Sequence, residues 1–178
     1  MQFLLNLENG INRVCDWLGK LTALLFVLML LNVFWDVVSR YLFNEVSIGM
    51  QELEWHLHAT IFLLGVPYAL RTGGHVRVDL IYENLSSNKK AWVDLFGTIV
   101  FLFPFCALVV WYGYDFAKEA YELGEQSGDP GGLPHRWIIK SMIPISFSFM
   151  LLSGLGLLLT SINTLLGQHE QPYKHTEL

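Results

Sequence analysis

The sequence predicts an all-α integral membrane protein: four transmembrane helices in an antiparallel bundle, with short interfacial amphipathic helices beside them. Ser141 to Gln168 carries no Asp, Glu, Lys or Arg, a run longer than the roughly 20 residues a helix needs to cross the about 30 Å hydrocarbon core of a bilayer. Three further stretches approach or match it. Composition agrees: the 178 residues are 53% hydrophobic and 15% charged, with a mean hydropathy of +0.41, whereas soluble domains average about a quarter charged.

The first span is expected over 18–39, with Leu21 to Trp35 uncharged and Asp36 one turn before Arg40. The second, 55–70, is shorter and less apolar because it contains His56 and His58. The third covers 91–114 and the fourth 138–166. Together they form a transmembrane domain over 18–168, preceded by an N-terminal interfacial segment over 1–17 and followed by a polar tail over 169–178. Lipid-embedded backbone must satisfy its own hydrogen bonds, so four apolar runs with short connections read as antiparallel helices.

The connections have their own patterns. Between spans one and two, Met50, Leu53 and Leu57 lie at helical spacing among Glu45, Gln51, Glu52 and Glu54, which suggests an interfacial helix. A second such stripe is Val78, Ile81, Tyr82 and Leu85, followed by Ser86 and Ser87 as candidate caps. After span three, Asp115 to Gly124 keeps helical character, so that helix projects beyond the bilayer and stops near Gly124. Gly128, Pro130, Gly131, Gly132 and Pro134 mark a firm break, and Pro134 suits the opening turn of the fourth helix. Pro67, Pro104 and Pro144 fall inside spans and mark kinks. Gly65 with Ala69, and Gly154 with Gly156, suit close helix packing.

Charge sets exclusions and orientation. The net charge of −5 comes with no block of like charge, which argues against a nucleic-acid surface or a polybasic lipid anchor. If both termini are cytoplasmic, that side receives Arg13, Lys20, Arg71, Arg77, Lys89, Lys90 and Lys174, against Arg40, Lys118, Arg136 and Lys140 opposite. The excess favours termini inside. Cys15 and Cys106 have no CxxC spacing and read as packing thiols.

An ionisable group within a span is a functional candidate by default. Asp36 is the clearest, yet an i, i+4 ion pair with Arg40 would account for both. Glu52 with His56, and Glu54 with His58, repeat that spacing, but no second helix supplies the facing ligands of a metal-binding bundle. No nucleophile elbow, P-loop, GxGxxG or HExxH occurs, so no enzyme activity, catalytic residue, cofactor or metal is assigned. Two motifs resist a purely structural reading: Gly73-Gly74-His75-Val76-Arg77-Val78-Asp79, and Pro130-Gly131-Gly132-Leu133-Pro134 followed by Arg136, Trp137 and Lys140. A tight turn with an interfacial Trp and snorkelling cations would account for the second.

These residues resemble the small membrane subunit, the DctQ-type small permease, of tripartite ATP-independent periplasmic (TRAP) transporters. The matching pieces are Val38-Ser39-Arg40-Tyr41, Glu52 and Glu54, Leu64-Gly65, Tyr68-Ala69-Leu70, the Gly73 to Asp79 motif, Ala91-Trp92-Val93-Asp94, Trp111-Tyr112-Gly113, and Pro130 to Pro134 with Trp137, Lys140 and Pro144. The resemblance implies a bacterial inner-membrane complex with a large multispanning subunit and a periplasmic substrate-binding protein, importing organic acids on an ion gradient. It also implies that this subunit supports the large one and helps receive the binding protein. Few membrane-buried polar groups and no paired broken half-helices agree with a supporting role. Two competing readings are a stand-alone membrane redox or metal-binding four-helix protein and an unrelated tetraspan scaffold.

Overall fold

A computed structural model describes residues 2–74 and 85–167. Among them the chain is helical with no strands: α1 Gln2–Leu42, α2 Ile48–Thr72, α3 Ser87–Glu122 and α4 Trp137–Leu165. α1, α3 and α4 are long and apolar enough to cross a membrane. The second expected span, 55–70, behaves differently. At about 1.5 Å per residue α2 has the length to cross, but Glu52, Glu54, His56 and His58 in its first half leave it outside the apolar set.

Several boundaries differ from the sequence reading. α1 begins at Gln2 and continues unbroken through the span. Residues 48–58 form the opening of α2 with no break before its apolar half. No proline interrupts residues 2–20 or 48–58, and the isolated Gly10, Gly19 and Gly49 are tolerated within a helix. Pro134 does not open the fourth helix, which begins at Trp137. The chain first turns through His135, at a φ of +61°. Ser86 takes the N-cap position of α3 but makes no side-chain cap bond. The stripe from Val78 to Tyr82 and the tail 169–178 lie outside the described residues.

Glycine ends two helices near the limits expected from the sequence. Gly73 has φ +73°, and the Gly73 N–H donates to the Leu70 carbonyl while Gly74 N–H donates to Ala69, the paired bonds of a Schellman motif. α3 ends identically at Gly124, φ +59°, with Gly124 N–H to Tyr121 and Glu125 N–H to Ala120. A π-helical turn, Thr98–Leu102, precedes Pro104 within α3. Pro67 and Pro144 sit inside continuous helices.

α4 is the centre of the assembly, packing against α1, α2 and α3, while α1 packs mainly on α2 and α3 mainly on α4. Proline explains part of the α2–α4 seam. Pro67 has no N–H, so the Leu63 carbonyl one turn back loses its intrahelical donor. The Ser146 hydroxyl of α4 donates to that oxygen, and Ser153 donates to the Pro67 carbonyl at 2.8 Å. Both serines are only 2% exposed, and hydroxyls that satisfy freed carbonyls are how helices tolerate proline in lipid. At the α1 end, Thr160 Oγ1 and Asn163 Nδ2 donate to the Glu8 carboxylate at 2.7 and 2.6 Å. Close backbone approach occurs where a Cβ would collide: Gly19 against the Tyr68 ring, and Gly154 against Leu102 and Phe103. A Cβ at Gly65 would meet nothing within 4 Å, so among the described residues no helix packs closely on Gly65.

Candidate functional site

The described motif residues gather mainly at one end of the molecule, where the start of α2 meets the loop between α3 and α4. The loop is shaped by local turn chemistry. Asp129, Pro130, Gly131 and Gly132 form a turn closed by Gly132 N–H to the Asp129 carbonyl at 3.0 Å, and Gly131 has φ +86°. Pro at the second position and a positive-φ Gly at the third are the requirements of a type II turn. The two limbs of the loop then pair, Ser127 N–H with the Leu133 carbonyl and Arg136 N–H with that of Glu125. Ser127 Oγ also accepts from Asp129 N–H.

Glu52, one turn into α2, holds this loop. Its Oε1 accepts from the Ser127 hydroxyl, and its Oε2 accepts from Leu133 N–H at 2.6 Å. These two hydrogen bonds, aided by the nearby Arg136 guanidinium and His56, hold the Glu52 carboxyl below the usual carboxylate range despite some desolvation. Gly132 is needed for the fit, because a Cβ there would collide with Ser127 and come within 2.8 Å of Glu52 Oε2. Gly49 approaches the Gly131 carbonyl from the α2 side.

Beside this clamp, Lys140 pairs with Glu125 and lies 4.1 Å from the Phe116 ring centroid, a cation–π distance. Trp137 meets Tyr121 edge to face, with centroids 5.4 Å apart. A cleft of about 520 Å³ opens here, lined by Glu52, Trp55, His56, Ala59, Asp129, Arg136, Ile139 and Lys140. It presents carboxylates, cations and an indole on one face, suited to polar contact with another macromolecule.

The remaining candidates fall elsewhere. Glu54 does not join the clamp, since residues two apart point to different sides of a helix. Asp36 and Arg40 form the expected i, i+4 pair at 2.5 Å. Asp36 is 6% exposed, and its Oδ1 has no hydrogen-bond partner among the described residues. Asn32, one turn earlier, donates to the Met50 carbonyl at 3.0 Å. Gly73 and Gly74 cap the far end of α2, about 31 Å from Glu52 at 1.5 Å per residue, so the two motifs do not form one site. His75, Arg77 and Asp79 lie outside the described residues. Sequence reasoning missed Glu125, Ser127 and Gly49. The available signal was Ser127 two residues before Asp129, a local side-chain turn pattern.

Glu52 also meets His56 through the helix backbone, the His56 ring bonding the Glu52 backbone carbonyl at 2.6 Å through Nδ1. Comparison with known proteins gives this geometry a setting. The chain matches the family described as "Tripartite ATP-independent periplasmic transporters, DctQ component" over residues 29–164. It is similar to the C4-dicarboxylate TRAP transporter small permease protein DctQ of Pseudomonas aeruginosa, 24% identical over 202 aligned positions covering 93% of this chain and 94% of that protein. It is also similar to the ectoine TRAP transporter small permease protein TeaB of Halomonas elongata, 28% identical over 88% of this chain and 80% of that one. The sialic acid TRAP transporter permease protein SiaT of Haemophilus influenzae is 23% identical over 79% of this chain, which matches only 22% of that longer protein. Since the family match takes in α2, α3, nearly all of α4, the last third of α1 and the whole Glu52 clamp, the chain belongs to the DctQ component of the tripartite ATP-independent periplasmic transporters, as a small membrane permease subunit.

Proposed function

We propose that this subunit braces the large transport subunit of its complex in the inner membrane and helps seat the periplasmic substrate-binding protein. In this reading α2 is a fourth span, the helices run antiparallel, and both termini are cytoplasmic. The Glu52 clamp and the cleft beside it then face the periplasm. The domain limits remain 1–17, 18–168 and 169–178. Transport draws on an ion gradient, and the cargo is an organic acid carried by the large subunit.

The observation that supports bracing is where the buried and half-buried polar groups of α4 point. Ser146, Ser153, Thr160 and Asn163 bind backbone carbonyls or the Glu8 carboxylate of neighbouring helices. Groups used in this way fix helix positions and do not line a path for an anion. The three relatives are named for a C4-dicarboxylate, ectoine and sialic acid. So varied a set fits a small subunit that does not select the substrate. At the opposite end of α2, Arg77 and Asp79 are assigned to organising the cytoplasmic turn.

The test is purification and uptake. A tagged chain should bring down a large membrane subunit, and uptake of an organic anion into vesicles should require both with an imposed ion gradient. Arg136→Glu should weaken stimulation by the binding protein while leaving copurification intact, whereas charge reversal at Asp79 should reduce complex yield. Uptake supported by this chain alone, or a haem Soret band in the purified chain, would overturn the reading.

A further inference from the structure

A second feature lies away from the clamp, on the side of the molecule where α1 begins. α1 and α4 touch at Ile11 and Gly156, where a glycine Cβ would come within 3.1 Å of Ile11 Cγ2. Beyond that contact a wedge of about 740 Å³ opens, with Leu18 and Leu64 buried on its floor. Leu21 and Leu25 of α1 and Ile145 and Phe149 of α4 also line it, and Thr60 closes its far end. The Thr60 hydroxyl donates to the His56 carbonyl at 2.7 Å, so even that end is apolar in effect.

The near end carries Arg13 and, one turn on, Trp17, which is 69% exposed. Arg40 and Arg71 each pair with an aspartate, but Arg13 has no ion-pair partner among the described residues. Its position is informative. Arg13 precedes Leu18, where the expected span begins, by five residues or about 8 Å of helix. That spacing sets Arg13 at the outer edge of the headgroup layer, which is about 5 to 7 Å thick on each side of the hydrocarbon, within reach of a lipid phosphate for a side chain as long as arginine's. Trp17 falls at the boundary, where indoles concentrate.

We propose that the wedge holds one anionic phospholipid, its phosphate on Arg13 and an acyl chain along Leu18, Leu21 and Leu25. The Arg13-to-Leu25 groove is about 18 Å long at 1.5 Å per residue, enough for the headgroup layer and much of one leaflet. A transmembrane helix would have to run past this cation across the full hydrocarbon thickness, so charge and length both favour a lipid. Cationic pockets between helices are recognised binding places for anionic headgroups.

The test uses the full chain purified from the membrane with the subunits that accompany it, in mild detergent, with bound lipid counted by native mass spectrometry. From membranes containing phosphatidylglycerol and phosphatidylethanolamine, the wild type should retain phosphatidylglycerol preferentially. Arg13→Gln should lower that retention about fivefold, as expected for one cation at an anionic surface, while Arg13→Lys keeps most of it. Leu21→Trp should expel lipid of either headgroup by filling the groove. A photo-crosslinking residue at Leu21 should label lipid. Equal phosphatidylglycerol in wild type and Arg13→Gln, or crosslinking from Leu21 to a helix of the large subunit, would overturn the proposal.

Discussion

The two seams that α4 makes are built differently. Against α2 it is fixed by hydroxyls that reach across to backbone carbonyls, Ser146 to Leu63 and Ser153 to Pro67. Against α3 it meets shape: Gly113 lies on Pro144, Phe105 packs edge to face on Phe147 with centroids 5.8 Å apart, and Lys140 covers Phe116. Lipid tails are as apolar as leucine, so helices in a bilayer gain little by hydrophobic association and rely on packing or polar bonds. A seam bonded to particular carbonyls has one register. A seam of rings and glycines tolerates sliding, which makes the Glu52 clamp important: it ties the loop between α3 and α4 back to α2.

The largest effect should come from side-chain bulk, with the α1–α2 contact set against the α3–α4 seam. A Cβ at Gly19 would meet the Tyr68 ring at 2.6 Å, whereas one at Gly113 would lie 3.2 Å from Pro144 Cδ. Gly19→Val should therefore cost about 1 to 3 kcal/mol, the usual range for overpacking, and lower both yield and Tm in detergent. Gly113→Val should cost less, since its Cβ starts from the longer contact. Equal losses would mean that the α1–α2 and α3–α4 contacts are equally tight.

Next comes the proline seam, where a double-mutant cycle isolates the cause. Ser146→Ala alone should cost about 0.6 kcal/mol and no more than about 1.7, the mean and the maximum measured for hydrogen bonds between membrane helices. In a Pro67→Ala background residue 67 regains an N–H, the Leu63 carbonyl recovers its intrahelical donor, and the cost should fall toward zero. An unchanged cost, measured by reversible unfolding in detergent, would show that Ser146 does not act through the orphaned carbonyl.

For the clamp the readout is exposure of the loop. Glu52→Ala removes the acceptor for Ser127 and Leu133, so protease cleavage between Glu125 and His135 should accelerate, with little change in the helices. The pH dependence follows from the depressed Glu52 pKa. Such a carboxyl contributes stability above its unfolded pKa, about 4.3 for Glu, and loses it as pH falls through the folded value. The loop should thus stay protected from neutral pH through pH 5 and open only below about pH 4. Opening between pH 5 and 7 would point to a histidine instead.

These seams also show what could be read from the sequence. The charge-free runs and the glycine stops at Gly73 and Gly124 were legible because helix length and termination depend on near neighbours. The turn at Pro130-Gly131-Gly132 was legible for the same reason. Its partner was not: Glu52 lies 75 residues from Ser127 and 81 from Leu133, and no local pattern encodes that meeting. Likewise Pro67 announces a kink but does not say that Ser146, on another helix, will answer it. The misplaced start of α4 has a local cause, since the positive φ of His135 inserts a turn where Pro134 alone suggested a first helical residue.

The smallest effect should come from the ion pair between α1 and α2, Asp16 with Arg71 at 2.5 Å. It lies close to Gly73 and bridges the same two helices as Gly19 and Tyr68, so by position it looks like a third fastener. Exposure argues otherwise. The two side chains are 40% and 29% exposed, and ion pairs of this kind contribute about 0.2 to 1 kcal/mol, screened further by salt. Arg71→Ala should therefore shift stability by less than about 1 kcal/mol, with the shift shrinking as ionic strength rises. A larger, salt-independent loss would mean that the α1–α2 seam also depends on a polar bond shielded from water, and the contrast between bonded and shape-fitted seams would then set α3 apart from every other helix.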